Sequence, residues 1–276
     1  MPLITFLSDY GSTDHYTAAV KAAILSIDSS MQIVDISHDI EPHNIAQGSY
    51  VLSSVYKDFP VGSIHLVALN SDSNLMEPPI AIKLDDHFFL GFDNGFFSLI
   101  SENSPEMIIE LSSTENSTFP GKNILAPAAA QLAKGKKLSD LGKEISSFKR
   151  MLPRYMKTTK SQLSGHVINV DHYGNLITNL DKRAFDKLKD ERNFVVCFGK
   201  EESFQIHQNY NDVDNGDCFV VFNSAGFLEI GINKGNATEL LGLGFDSRVS
   251  IQFINPKEES SKKNIKPSAF RKIGSL

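Results

Sequence analysis

The residues in this chain best able to do chemistry are acids, amides and histidines placed at the ends of short apolar runs. Asp9 follows the run Leu3–Leu7 and opens the polar cluster Ser8-Asp9-Tyr10-Gly11-Ser12-Thr13-Asp14. Open α/β sheets bind ligands just beyond the carboxyl ends of their strands, and a carboxylate there can accept two hydrogen bonds from a ribose diol. Asp9 or Asp14 reads equally as a cap for the helix that follows. His38-Asp39 follows a second run, with His43 nearby. A metal would need further ligands at a recognisable spacing, and none is present. His65 sits inside an apolar run and reads as a core histidine. Asp171-His172-Tyr173-Gly174-Asn175 puts an acid and an amide at opposite ends of a tight loop, and Asn223-Ser224-Ala225-Gly226 could offer a hydroxyl and backbone N–H groups to a carboxylate. Both are also ordinary turn sequences.

Positioning these groups requires two kinds of architecture. In the first half, strand-like runs (Leu3–Leu7, Gln32–Ser37, Ile64–Leu69) alternate with helical patterns (Ala18, Ala19, Ala22, Ala23 and Ile27; Asn44–Tyr56; Asn123–Lys134). That order predicts an α/β domain with a largely parallel sheet. Phe88–Leu90 and Phe96–Ile100 flank Asp93-Asn94-Gly95, which predicts a hairpin. Beyond a basic, aperiodic stretch, short β-rich runs separated by Asn, Gly and Asp predict a smaller antiparallel β-barrel, with one helix at Lys182–Lys189. The expected division is an N-terminal α/β domain at 1–150, a linker at 151–164, a C-terminal β-barrel at 165–255 and a basic, disordered tail at 256–276.

Composition narrows the function. The chain has 276 residues and a net charge of −6, with 41% hydrophobic and 22% charged residues. Such a balance disfavours a nucleic-acid partner. Two cysteines make no disulfide framework, and no apolar run reaches the ~18 residues of a membrane span. The opening residues lack the basic region and cleavage site of a signal peptide, so a cytoplasmic location is expected. There is no P-loop, no Gly-x-Gly-x-x-Gly fingerprint and no Gly-x-Ser-x-Gly elbow.

Several segments together resemble one family. They are Phe6-Leu7-Ser8-Asp9-Tyr10-Gly11 with Asp14, Asp35-Ile36-Ser37-His38, Gly91–Ser98, Ala126–Ala133, Asp171–Asn179 and Asn223–Ile230. In order, over about residues 3–254, they resemble the S-adenosylmethionine hydroxide adenosyltransferases, a family that includes fluorinases and chlorinases. The resemblance implies a homotrimer that binds S-adenosylmethionine between one subunit's N-terminal domain and a neighbour's C-terminal domain, with no cofactor and no metal. It implies substrate binding by Asp9, Asp14, Asn70, Asn94, Asp171, Asn175, Ser224 and Glu229. Asp9 would hold the ribose hydroxyls, and Asp14 and Asp171 would lie at the methionine amino group. Asn175 would read adenine, and Ser224 would take the methionine carboxylate. The implied chemistry is attack of water, hydroxide or halide on ribose C5′, with methionine leaving from its sulfonium.

At the reacting centre the chain departs from that pattern. The hydrolase acid, arginine and histidine positions hold Asn70, Glu77 and Pro120. An amide is no base at neutral pH, and proline has no side-chain donor or acceptor. The halogenase aromatic and serine positions hold Asn70 and Gly121. Glu77, if it faced the pocket, would repel hydroxide and halide alike. Asp72, two residues beyond Asn70, is the substitute base that the sequence offers. Two functions follow: hydrolysis of S-adenosylmethionine to adenosine and methionine with a rearranged site, or silent binding of S-adenosylmethionine or adenosine by a sensor protein.

Overall fold

The computed structural model describes residues 2–70, 77–112 and 117–254, in two compact units that divide between Pro153 and Arg154. Asp72 and the basic tail lie outside the described residues.

The first unit runs β1 (Ile4–Ser8), α1 (Tyr16–Leu25), β2 (Ile33–Ser37), α2 (Ile45–Ser53), β3 (Ile64–Ala68), β4 (Pro79–Leu84), β5 (His87–Phe92), β6 (Met107–Leu111), α3 (Ala126–Ala133) and β7 (Gly142–Glu144). The sheet order is β2-β1-β3-β5-β4-β6-β7. β2, β1, β3 and β5 are mutually parallel, whereas β4, β6 and β7 join antiparallel. The sheet is therefore mixed rather than largely parallel. The cause is a hairpin that the sequence reading missed: Asp85 and Asp86 are both left-handed (φ 50° and 62°) and turn β4 directly into β5. A two-residue turn of that hand matches strand twist. The hairpin expected at Asp93-Asn94-Gly95 is not there. Gly95 is left-handed, but a 3₁₀ turn at Phe96–Ser98 follows. Asn94 Oδ1 accepts the Phe96 N–H that a strand ladder would have used.

β1 is buried along its whole length, as a central parallel strand must be. Ile4 and Phe6 face one core with Val20 and Ile24 of α1 and the alanines of α3. Leu7 faces the opposite core with Ile45 and Leu52 of α2. The buried face of α1 is thus Val20–Ile24, while Ala18 and Ala22 of the expected face are exposed. Neither Asp9 nor Asp14 caps α1, whose N-cap is His15 without a side-chain bond. α2 is capped by Asn44, which accepts from Gln47 N–H at 3.0 Å.

The second unit runs β8 (Lys157–Thr158), β9 (Gln162–Val170), β10 (Leu176–Asp181), α4 (Lys182–Lys189), β11 (Asn193–Phe198), β12 (Glu201–Ser203), β13 (Cys218–Phe222), β14 (Phe227–Ile232), α5 (Ala237–Leu241) and β15 (Arg248–Ile254). Its pairings are all antiparallel, in the order β12-β11-β15-β9-β10-β14-β13. β9 alternates strictly between buried and half-buried residues, which fixes its register. The sheet nearly closes into a barrel. His207, just past β12, donates its N–H to Val220 O on β13 at 2.7 Å, and its Nδ1 accepts from Val220 N–H at 3.0 Å. Leu163, Val196, Val220, Ile230 and Ile251 fill the interior.

Candidate functional site

In the first unit, parallel pairing sets Ser8 beside Ala68, so the chains leaving β1 and β3 emerge side by side. Asp9 leaves one and Asn70 the other. Asp9 Oδ2 accepts from Asn70 N–H at 3.0 Å and from His43 N–H at 3.3 Å. His43 Nδ1 lies 2.7 Å from Asn70 Oδ1. Both His43 (φ 66°) and Asn70 (φ 49°) are left-handed, a conformation that histidine and asparagine adopt more readily than most residues. Asn94, buried, supports the group from below: its Nδ2 donates to Leu69 O at 3.1 Å. The structure therefore gathers Asp9, Asn70 and Asn94, and adds His43. Asp14 stands apart from them on an exposed turn.

The replaced positions have specific surroundings. Glu77 Oε1 lies 3.0 Å from Lys149 Nζ, so its charge is compensated within the unit. Lys149 also donates its backbone N–H to Asp93 at 2.6 Å, and burial lifts the Asp93 carboxyl above its ordinary range. Pro120 is buried at the start of the wide helical turn Gly121–Leu125. A Cβ at Gly121 would come within 2.4 Å of the Tyr10 hydroxyl. A serine here would therefore require the Tyr10 side chain to shift. Tyr10 and Tyr16 pack edge-on to Phe119, with ring centroids 5.6 and 5.5 Å away. His38 Nδ1 lies 2.8 Å from Ser8 Oγ, and its buried Nε2 is 3.1 Å from an Asp35 carboxylate oxygen without hydrogen-bond geometry.

In the second unit the candidates form one bonded cluster. Asp171 Oδ1 accepts from the N–H groups of Tyr173 and Asn175, at 2.9 and 2.8 Å, shaping the loop between β9 and β10. Asn175 Nδ2 donates to Asp171 Oδ2 and to Glu229 Oε1, each at 3.1 Å. The Tyr210 hydroxyl donates to the same Glu229 oxygen at 2.9 Å. Burial raises the Glu229 carboxyl above its ordinary range, while bonds from Tyr210, Asn223 and Asn175 pull it down. Ser224 is exposed at the β13–β14 turn, which Asn223 Oδ1 shapes by accepting from Ala225 and Phe227. Beside this cluster lies a cavity of ≈ 580 Å³ lined by Tyr173, Asn175, Tyr210, Phe219, Asn233 and Asn236, among others. Tyr210 stacks on Phe219 at 4.6 Å with 21° between the planes. A polar amide above stacked rings suits a flat heteroaromatic ligand. Sequence reading missed Tyr210, although Asn209 and Asp212 form a capping box around it.

Comparison with known proteins places the chain in a class. The SAM hydroxide adenosyltransferase N-terminal domain matches residues 4–142, and the corresponding C-terminal domain matches residues 165–250. The chain belongs to the SAM hydroxide adenosyltransferase family. Among its relatives is the (R)-S-adenosyl-L-methionine hydrolase of Salinispora tropica, 25% identical over 91% of this chain and 97% of that protein. The hydrolase of the same name from Thermus thermophilus is 28% identical over 87% of this chain and 95% of its own. A fluorinase of Actinoplanes is 25% identical over 67% of this chain and 74% of its own. The crystal structure of a conserved protein from Thermotoga maritima superposes with a TM-score of 0.83 at 31% identity, covering 91% of this chain and all of the other.

Proposed function

We propose that this protein hydrolyses S-adenosylmethionine at ribose C5′, releasing adenosine and methionine, in the cytoplasm and without a further cofactor. The observation that carries the reading is the pair of bonded clusters, Asp9–Asn70 in one unit and Asp171–Asn175–Glu229 in the other, in a chain matched to one enzyme family across both units. Asp9 holds the ribose hydroxyls with the acceptor sites left beyond its two backbone bonds. Asn94 holds the backbone beneath Asn70. Asn175 reads the adenine edge, with Glu229 fixing its amide. Asp171 and Asp14 face the methionine amino group, and Ser224 faces the carboxylate. The active form is a homotrimer in which the two clusters of each site come from neighbouring subunits. A sulfonium leaving group already makes C5′ electrophilic, so the protein has to align, desolvate and deprotonate water.

Halogenation is disfavoured, because Gly121 offers no hydroxyl for a halide. A silent binding protein is the second reading, favoured by Asn70, the Glu77–Lys149 ion pair and Pro120 at the usual chemical positions. Calorimetric titration with S-adenosylmethionine, with the same samples chromatographed for adenosine and methionine, separates the readings. Binding with both products supports the hydrolase. Binding without them, in the presence or absence of halide, supports the silent protein. No binding removes both.

A further inference from the structure

We infer that His43 is the proton acceptor of this enzyme, oriented by Asn70. The inference rests on the hydrolase reading above. Asn70 Oδ1 can only accept, so at 2.7 Å it selects the tautomer in which His43 Nδ1 carries the hydrogen. A neutral imidazole has one such hydrogen, which leaves the Nε2 lone pair available to take a proton. An asparagine oxygen that fixes a histidine ring for base work recurs in hydrolases of unrelated fold, such as the Cys-His-Asn proteases. Here the asparagine occupies the position that has lost the acid. The substitution at residue 70 thus changes which group accepts the proton.

The backbone holds the ring to this task. His43 N–H and Asn70 N–H both bond to Asp9 Oδ2, so the carboxylate that would hold the ribose diol also anchors the loop carrying the imidazole. His43 is solvent-exposed and can reach water. Among the described residues, the carboxylate bonded to the His43 backbone is Asp9, and Glu41, two residues earlier in the chain, is engaged by Asn44 Nδ2 at 3.0 Å. In the step itself, the water oxygen forms a bond to C5′ while the C5′–S bond breaks. The bonding pair moves to sulfur, which leaves as the neutral thioether of methionine. The proton of the attacking water passes to His43 Nε2, and the imidazolium returns it to solvent.

The test compares the wild type with His43→Asn, chosen because asparagine tolerates the left-handed backbone, and with Asp72→Asn. Turnover is followed by chromatography across pH, with and without added imidazole, and affinity by calorimetry. The inference expects His43→Asn to lose about 10²-fold or more in turnover, the usual weight of a general base, with S-adenosylmethionine affinity retained. It also expects loss of the acid limb of the pH profile and partial rescue by imidazole in His43→Asn, with no such rescue in Asp72→Asn. If His43→Asn turns over like the wild type, or only Asp72→Asn abolishes turnover, the inference is overturned and the hydrolase reading stands. A wild-type protein that yields no adenosine overturns the hydrolase reading and this inference with it.

Discussion

The two units place buried ionisable groups in different relation to their sites. In the first unit the buried pair is His65 and His87, 3.2 Å apart, on the core face where Thr5 Oγ1 meets His65 Nδ1 at 2.7 Å. No residue of the Asp9–His43–Asn70 group belongs to it. Burial, helped by the neighbouring imidazole, pushes His65 down to about 3, and burial also lowers His87. In the second unit Glu229, buried and raised by desolvation, belongs to the candidate site, while the buried His207 ties its segment to β13. The first unit therefore keeps its buried histidine pair and its chemistry apart. The second makes one structure serve as core and site, so changes there should cost stability and ligand binding together.

The largest expected effect is a divergence with pH. His65 has a folded pKa below its unfolded 6.5, so its contribution is full above that value and is lost as pH falls toward about 3. At ~1.4 kcal/mol per unit, the first unit should lose on the order of 3 kcal/mol by about pH 4. Glu229 has a folded pKa above its unfolded 4.5, so its contribution is present below that value and is lost as pH rises through the folded one. Acidification should loosen the first unit before the second. Hydrogen exchange resolved on residues of each unit measures this, and earlier opening of the second unit would break the contrast.

Next in size is Gly231→Ala. Its Cβ would lie 2.1 Å from the Phe219 ring and 2.5 Å from Asn175 Oδ1, beneath the cavity. Overpacking of this kind costs about 1–3 kcal/mol. Denaturant unfolding and calorimetry should show stability and S-adenosylmethionine affinity falling together. Asp9→Ala sharpens the comparison from the other side. Affinity should fall by about 1–3 kcal/mol, the weight of hydrogen bonds to a charged group, with a smaller loss of thermal stability from the two backbone N–H groups that Asp9 releases. A matching loss of thermal stability would mean that the first unit's site is structural as well. The smallest effect belongs to Glu77→Gln. The Glu77–Lys149 pair has a lysine side chain 54% exposed, so its loss should change stability by less than about 1 kcal/mol.

Much of the frame was legible in the chain. The apolar run of β1 and the span of α4 are local patterns, and local patterns survive into the fold. The misreadings occurred where one residue had two possible partners. Asp93-Asn94-Gly95 carries hairpin chemistry, yet Asn94 bonds Leu69 O and Phe96 N–H and diverts the chain into a 3₁₀ turn. Asp85-Asp86 makes the actual hairpin without the glycine that usually signals one.

The site divides in the same way. Residue type together with the family resemblance nominated Asp9, Asp171, Asn175 and Glu229, and marked Asn70, Glu77 and Pro120 as departures from the family's chemistry. Sequence could not pair Glu77 with Lys149, seat Tyr210 on Glu229, or bring His43 to Asn70. Those partners are 72, 19 and 27 residues apart. Only the parallel pairing of β1 with β3 and the curl of the antiparallel sheet bring such distant side chains to bonding distance. Chain order encodes which groups are available, and tertiary packing decides which of them meet.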